Sequence, residues 1–178
     1  MQKAFFISIL LISMATYAQN KIHYNFIINT TFMANDNFGN YDEYEDERDW
    51  DIIVPRALLL RNGFDVTLNN FVTLGLNLGL DWHQNLQVLA IPYYIDSKFT
   101  ILKGGNKKLY IGGGIGKLVK LGKAFERGKY YKVGIGYQIA MDETHNFIIN
   151  IDFHQKQIQG FENGRLNSLS FGMGMSFL

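Results

Sequence analysis

Val72-Thr73-Leu74-Gly75-Leu76-Asn77-Leu78-Gly79-Leu80-Asp81-Trp82 alternates without a break between two kinds of residue. Every even position is large and apolar. Every odd position is a glycine or a small polar or acidic side chain. A period of two places successive side chains on opposite faces of an extended strand. This strand therefore meets two different solvents, one oily and one polar.

The same alternation recurs along the chain and predicts eight strands. The first is Ile22 to Phe32, with Ile22, Tyr24, Phe26, Ile28 and Phe32 on the apolar face. The second, about Val54 to Val66, has the weakest pattern, because Ala57-Leu58-Leu59-Leu60 does not alternate. The third is Phe71 to Trp82. The fourth sets Leu89, Ile91, Tyr93, Ile95, Phe99 and Ile101 against Ala90, Pro92, Tyr94, Asp96, Lys98 and Thr100. The fifth sets Leu109, Ile111 and Ile115 against Tyr110, Gly112, Gly114 and Gly116. The sixth sets Tyr131, Val133, Ile135, Tyr137 and Ile139 against Lys132, Gly134, Gly136 and Gln138. The seventh sets Phe147, Ile149, Ile151 and Phe153 against Asn150, Asp152 and His154. The last sets Leu169, Phe171, Met173, Met175 and Phe177 against Ser168, Ser170, Gly172, Gly174 and Ser176. Leu68-Asn69-Asn70, Gly104-Gly105-Asn106 and Asp142-Glu143-Thr144 read as tight turns. The connections after strands one, five and seven are longer. Short turns at one end and longer loops at the other are the habit of an even-stranded membrane barrel.

Composition and compartment agree with that expectation. Residues 1–18 read as a secretory signal: Lys3, an apolar run from Ala4 to Met14, then Thr16-Tyr17-Ala18 before a cut. Residues 19–178 are then the barrel domain. Lys3 leaves with the leader, and the 17 basic residues fall level with the 16 acidic ones. A neutral chain carries no basic surplus for nucleic acid. The chain has no cysteine, which removes disulfides, thiolate metal sites and a lipid-anchoring cysteine.

Which face looks outward decides between a membrane barrel and a soluble, secreted ligand-binding barrel. In the soluble case the surface would be mostly glycine and serine, a poor coat for water. In a narrow membrane barrel those small residues face a crowded interior. Trp82, Tyr93, Phe99, Tyr131, Phe147 and Phe177 near strand ends suit interfacial girdles. The expectation is an all-β, eight-stranded, antiparallel, transmembrane up-and-down barrel of the outer membrane. Pro92 conflicts with a closed sheet and calls for a bulge.

With these residues in view, the chain resembles the small outer-membrane barrels of the OmpX/OmpA type, especially those of Bacteroidota. Ile91-Pro92-Tyr93-Tyr94-Ile95-Asp96-Ser97-Lys98-Phe99 is similar to a recurring fourth-strand pattern of those barrels. Leu169 to Leu178 resembles their C-terminal strand, with Phe177 penultimate where an aromatic is usually last. The resemblance implies contact with outer-membrane lipid and lipopolysaccharide, and recognition of the last strand by the barrel-assembly machinery. It implies location more than activity.

Three residue sets carry candidate chemistry. By parity Asn77, Asp81, Asp96, Lys98, Lys132, Asp152 and His154 face the lumen, where eight strands leave room only for side chains. They are expected to form a plug of ion pairs and hydrogen bonds. The stretch Asn35 to Asp51 holds Asp36, Asp42, Glu43, Glu45, Asp46, Glu47, Asp49 and Asp51, half of the chain's acids. Tyr41, Tyr44 and Trp50 lie among them. This outer loop is the candidate contact site for a protein partner or bridging cations. It has no EF-hand spacing, because Gly39 at the sixth position would put Ala34 and Phe38 at ligand positions. Third, His154-Gln155-Lys156 loosely resembles the end of PagL-type lipid A deacylases, but Lys156 stands where a nucleophilic serine belongs. Gly112 to Lys117 is no phosphate loop, because Ile111 and Leu118 occupy required glycine and hydroxyl positions. His23, His83, His145 and His154 have no ligand spacing. No cofactor, metal or catalytic set is implied, and the function read from sequence is structural or interactive.

Overall fold

The computed structural model describes residues 22–34, 41–42, 47–48, 53–68, 71–83, 88–119, 128–157 and 164–178. The proposed signal segment lies outside them. Eight long strands form the described fold: β1 (Ile22–Ala34), β2 (Ile53–Thr67), β3 (Val72–His83), β4 (Val88–Ala90 and Pro92–Gly104), β5 (Lys107–Leu118), β6 (Lys129–Ala140), β7 (His145–Gln157) and β8 (Arg165–Phe177). Each pairs antiparallel with its sequence neighbours, and β1 also pairs with β8, Tyr24 opposite Phe177. The sheet closes into an up-and-down barrel with no free edge.

Alternation decides what faces where. Leu74, Leu76, Leu78, Leu80 and Trp82 are exposed on the outside, while Gly75, Asn77, Gly79 and Asp81 are buried within. The pattern repeats around the ring, from Phe26 and Ile28 on β1 to Phe171 and Met173 on β8. Along this belt the outward side chains are hydrophobic and the charged ones are buried within, the reverse of a soluble protein. Such a surface is matched to lipid hydrocarbon. At one end of the belt the Tyr24 ring lies 5.4 Å from Phe64 and 6.2 Å from Phe177, part of an aromatic band.

β2 escapes simple alternation for a local reason. Ala57 and Leu59 point inward and are buried, while Leu58 is exposed outside. Hydrophobicity cannot separate two faces when the interior also takes a leucine. The register slips once, Thr31 opposing Ala57 but Phe32 opposing Pro55, which is a bulge at Arg56.

The bulge expected at Pro92 is elsewhere. β3 keeps one register past it, Leu78 opposite Tyr93 and Asp81 opposite Ala90, and β4 is simply interrupted at Ile91. The buried Pro92 ring packs over Gly79, where an added Cβ would meet its Cγ at 2.9 Å. The missing donor costs a rung rather than a shift. The register of β4 with β5 slips instead between Thr100 and Leu102, so that Ile101 and Leu102 are both exposed.

Three short turns share one end, here the turn end. Gly105 adopts φ 56° between Gly104 and Asn106, a conformation glycine takes without strain. Asp142 Oδ1 accepts the backbone N–H groups of Thr144 and His145, each at 2.7 Å. These bonds and the His145 ring hold its carboxyl well below the usual carboxylate range. The turns are stitched together, Asn106 O accepting from Ala140 N at 2.7 Å and Thr144 O from Leu178 N at 2.9 Å. The opposite, loop end carries the connections 35–52, 84–87, 120–127 and 158–163.

Candidate functional site, the charged lumen

Many of the large polar side chains entering the barrel lie opposite a glycine, which gives them space. Arg61 lies opposite Gly79, Asp65 opposite Gly75, Asp96 opposite Gly75 and Gly114, Tyr94 opposite Gly116, Tyr110 opposite Gly136, and Asp152 opposite Gly134. An added Cβ at Gly136 would strike the Tyr110 ring, and one at Gly114 would meet Tyr94 Cδ2 at 2.9 Å. The inward glycine stripe is thus the mould for a set of bulky polar residues.

Those residues fall into two linked tiers. Nearer the loop end, Asp81 is held between Arg61 and Lys156, the latter with Nζ 2.7 Å from Oδ2. Lys156 Nζ also donates to His83 Nε2 at 2.8 Å. Asp81 and Lys156 side chains are both 0% exposed. Nearer the turn end, Lys98 pairs with Asp65 and lies 4.0 Å from Asp96, which accepts from Asn77 Nδ2 at 3.0 Å. Lys132 pairs with Asp152 at 3.0 Å, and Asn150 donates to both Asp152 and Asn29. Arg61, Lys98, Lys132 and Lys156 thus meet Asp65, Asp81, Asp96 and Asp152, four charges of each sign. Balance and pairing are the conditions under which charge is tolerated out of water.

A hydrogen-bonded chain joins the tiers. Arg61 Nη2 donates to the Tyr130 hydroxyl at 3.3 Å, and that hydroxyl lies 2.6 Å from His154 Nδ1. His154 Nε2 lies 2.7 Å from Ser170 Oγ, which donates to the Asp152 carbonyl at 3.3 Å. The ends fix the direction. Tyr130 accepts from a guanidinium and so donates to Nδ1, which leaves the proton on Nε2 pointing at Ser170.

All seven lumen residues read from parity, Asn77, Asp81, Asp96, Lys98, Lys132, Asp152 and His154, lie inside the barrel in this network. The lumen set read from sequence leaves out Arg61, Asp65, His83, Tyr130 and Lys156, and gives Ser170 a place on the inner face but no role. Lys156 shares its face with His154 two residues earlier, and Asp65 shares its face with Gly63, so parity carried a signal for both. The hydroxyl that seemed absent beside His154 comes from Ser170 on the neighbouring strand. The pair still lacks the features of a nucleophile and base. Nε2 carries the proton it would need to accept, and His154 and Ser170 are 0% and 2% exposed, beyond reach of a substrate carbonyl.

Of the acidic segment, the structure describes only a two-residue ladder, Tyr41–Asp42 opposite Glu47–Arg48. Asp36, Glu43, Tyr44, Glu45, Asp46, Asp49 and Trp50 lie outside the described residues. Among the described residues no group of three or more His, Asp or Glu is placed to hold a metal ion. A polar cavity of about 30 Å³ opens at the turn end beside His23, Asp65, Lys98, Tyr110 and Gln138, room for a few water molecules and no more.

No protein-family model matches the chain, and no curated protein sequence matches it. Solved structures do. Neisserial surface protein A (NspA) superposes with a TM-score of 0.64 at 8% identity, over 90% of this chain and 99% of that one. The N-terminal β-barrel domain of Pseudomonas aeruginosa OprF superposes with a TM-score of 0.55 at 13% identity, over 89% and 98%. At such identities the likeness is one of fold, and the fold is that of small outer-membrane barrels.

Proposed function

We propose that this chain is an outer-membrane β-barrel of the OmpX/OmpA type that acts as a scaffold or surface-contact protein of the cell envelope. The turn end then faces the periplasm and the loop end the outside. The observation that carries this reading is the filled lumen. Among the described residues, paired charges and tyrosines occupy it at both tiers, which argues against a porin-like channel and keeps the His154–Ser170 pair away from any substrate. Chemistry available to a partner therefore lies on the loops and the outer rim, and the acidic, aromatic segment Asn35 to Asp51 is the part best suited to a protein contact or to cation bridging. The last strand would be read by the barrel-assembly machinery.

The test is gentle detergent extraction of the outer membrane, followed by mass spectrometry of what co-purifies with the tagged barrel. The full chain should recover an envelope partner, and a chain lacking Tyr41 to Asp49 should fold but lose it. Equal recovery by both chains would remove the loop from the argument. The other reading from sequence, a PagL-like lipid A deacylase, has the burial of His154 and Ser170 against it. Lipid A mass spectra with and without the protein decide it, since a scaffold changes no mass.

A further inference from the structure

The outward face is not equally apolar all round. On β1 to β4 exposed apolar side chains run almost to the loop end, with Phe32, Leu58, Trp82 and Leu89 outward there. On β5 to β8 the apolar face stops sooner. The last outward apolar residues are Ile115, Tyr131, Phe153 and Leu169, and the first polar ones beyond them are Lys117, Lys129, Gln155 and Asn167. Arg165 is the next outward residue on β8. Lys117 lies directly opposite Lys129 across β5 and β6, and Gln157 lies opposite both Lys129 and Arg165. Gln155 Nε2 donates to Asn167 Oδ1 at 3.1 Å, which fixes an amide pair beside the two lysines.

Two like charges set opposite one another across a ladder repel. Lys117, Lys129 and Arg165 are all exposed, and no carboxylate among the described residues forms an ion pair with any of them. With strands about 4.8 Å apart, the three cations span roughly 15 Å along the border where hydrocarbon gives way to headgroups. They point into the bilayer side, not into the lumen or along the barrel axis. Their natural counter-charge is an anion at headgroup depth.

We propose that Lys117, Lys129 and Arg165, with the Gln155–Asn167 amide pair, form a docking ledge for a phosphorylated glycolipid of the outer leaflet. The cations would take phosphate oxygens, the amides would hydrogen-bond the sugar, and the acyl chains would lie on Ile115, Tyr131 and Phe153 below. The proposal rests on the outer-membrane reading above and adds a lipid site on one side of the barrel.

The experiment places the full barrel in phosphatidylcholine nanodiscs doped with lipid A or with dephosphorylated lipid A, and counts retained glycolipid by native mass spectrometry. A headgroup-level cation contributes about fivefold to binding an anionic lipid, so the K117Q/K129Q/R165Q variant should lose retention of lipid A about a hundredfold. The K103Q/K107Q variant, altered at the turn end, should retain it. Heat-dependent gel mobility verifies that each variant is folded. Equal retention of lipid A by the triple variant, or equal retention of the dephosphorylated lipid by the unaltered barrel, would overturn the proposal. So would lipid-independent dimers that the triple substitution abolishes, because the ledge would then hold a second copy. A chain that refuses to enter the nanodiscs refutes the membrane reading itself, and the ledge with it.

Discussion

Asp81→Ala should be among the most damaging single substitutions in this barrel, and its cost can be worked from the geometry. One Asp81 oxygen faces Arg61, and the other lies 2.7 Å from Lys156 Nζ. At an effective dielectric of about 20, two unit charges at that separation attract by about 6 kcal/mol. Removing the carboxylate does not return the cations to water, because the Lys156 side chain is 0% and the Arg61 side chain 3% exposed. Two like charges would then share a site without a counter-ion. Breaking a buried pair in this way typically costs 3–5 kcal/mol net. The assay is equilibrium urea unfolding of the barrel in lipid vesicles, followed by tryptophan fluorescence with Trp50 replaced by Phe so that Trp82 alone reports. With a slope of about 2 kcal/mol per molar urea, the midpoint should fall by roughly 2 M. Lys156→Met is the informative contrast. It leaves Asp81 paired one to one with Arg61, so it should cost far less than Asp81→Ala. Equal costs for the two, or an Asp81→Ala cost below about 1 kcal/mol, would refute the claim that a balanced, water-free cluster holds this end of the lumen.

Two further outcomes follow from the same geometry. Leu76, 61% exposed on β3, lies in the apolar belt, so Leu76→Arg should destabilise the barrel in a bilayer by about 2–4 kcal/mol; a neutral result in vesicle unfolding would argue against hydrocarbon on that face. The Asp142 carboxyl titrates below its unfolded value, so the unfolded chain binds more protons in acid and the stability it contributes is complete above about pH 4 and lost as pH falls further. Asp142→Asn keeps an acceptor for the turn but should flatten that acid limb, as read by unfolding midpoints between pH 5 and 2.

Much of this architecture is written locally. Period-two alternation reports a strand and its two faces at once, and Val72 to Trp82 reads correctly because each interior position there is a glycine, a threonine, an asparagine or an acid. β2 reads poorly because Leu59 faces inward. Arg61 went unrecognised for that reason, although Gly63 and Asp65 on the same face mark the lumen. The pairing of His154 with Ser170 was hidden differently. The two are sixteen positions apart, and only the β7–β8 register, with Asp152 opposite Ser170, brings them together. Register follows from how eight strands close on one another, and no single segment contains it.

The complementarity of glycine and large polar residues bears on what the barrel can become. Gly79 lies across from Arg61, Gly116 from Tyr94, Gly136 from Tyr110 and Gly172 from Asn29. Each glycine gives room to one or two bulky neighbours, Gly172 to Asn150 as well as Asn29, and the neighbours fill the room it leaves. Opening an aqueous path would require removing several such neighbours together, and each removal strands a charge or a hydrogen-bond partner in a low-dielectric space. A lumen assembled this way resists drift toward a channel. Variation is cheap only where side chains stand outside this plug, as they do along the rim of the lipid-facing surface. The ledge of Lys117, Lys129 and Arg165 stands there, outside the plug, where new contacts form without disturbing the charges that hold the barrel shut.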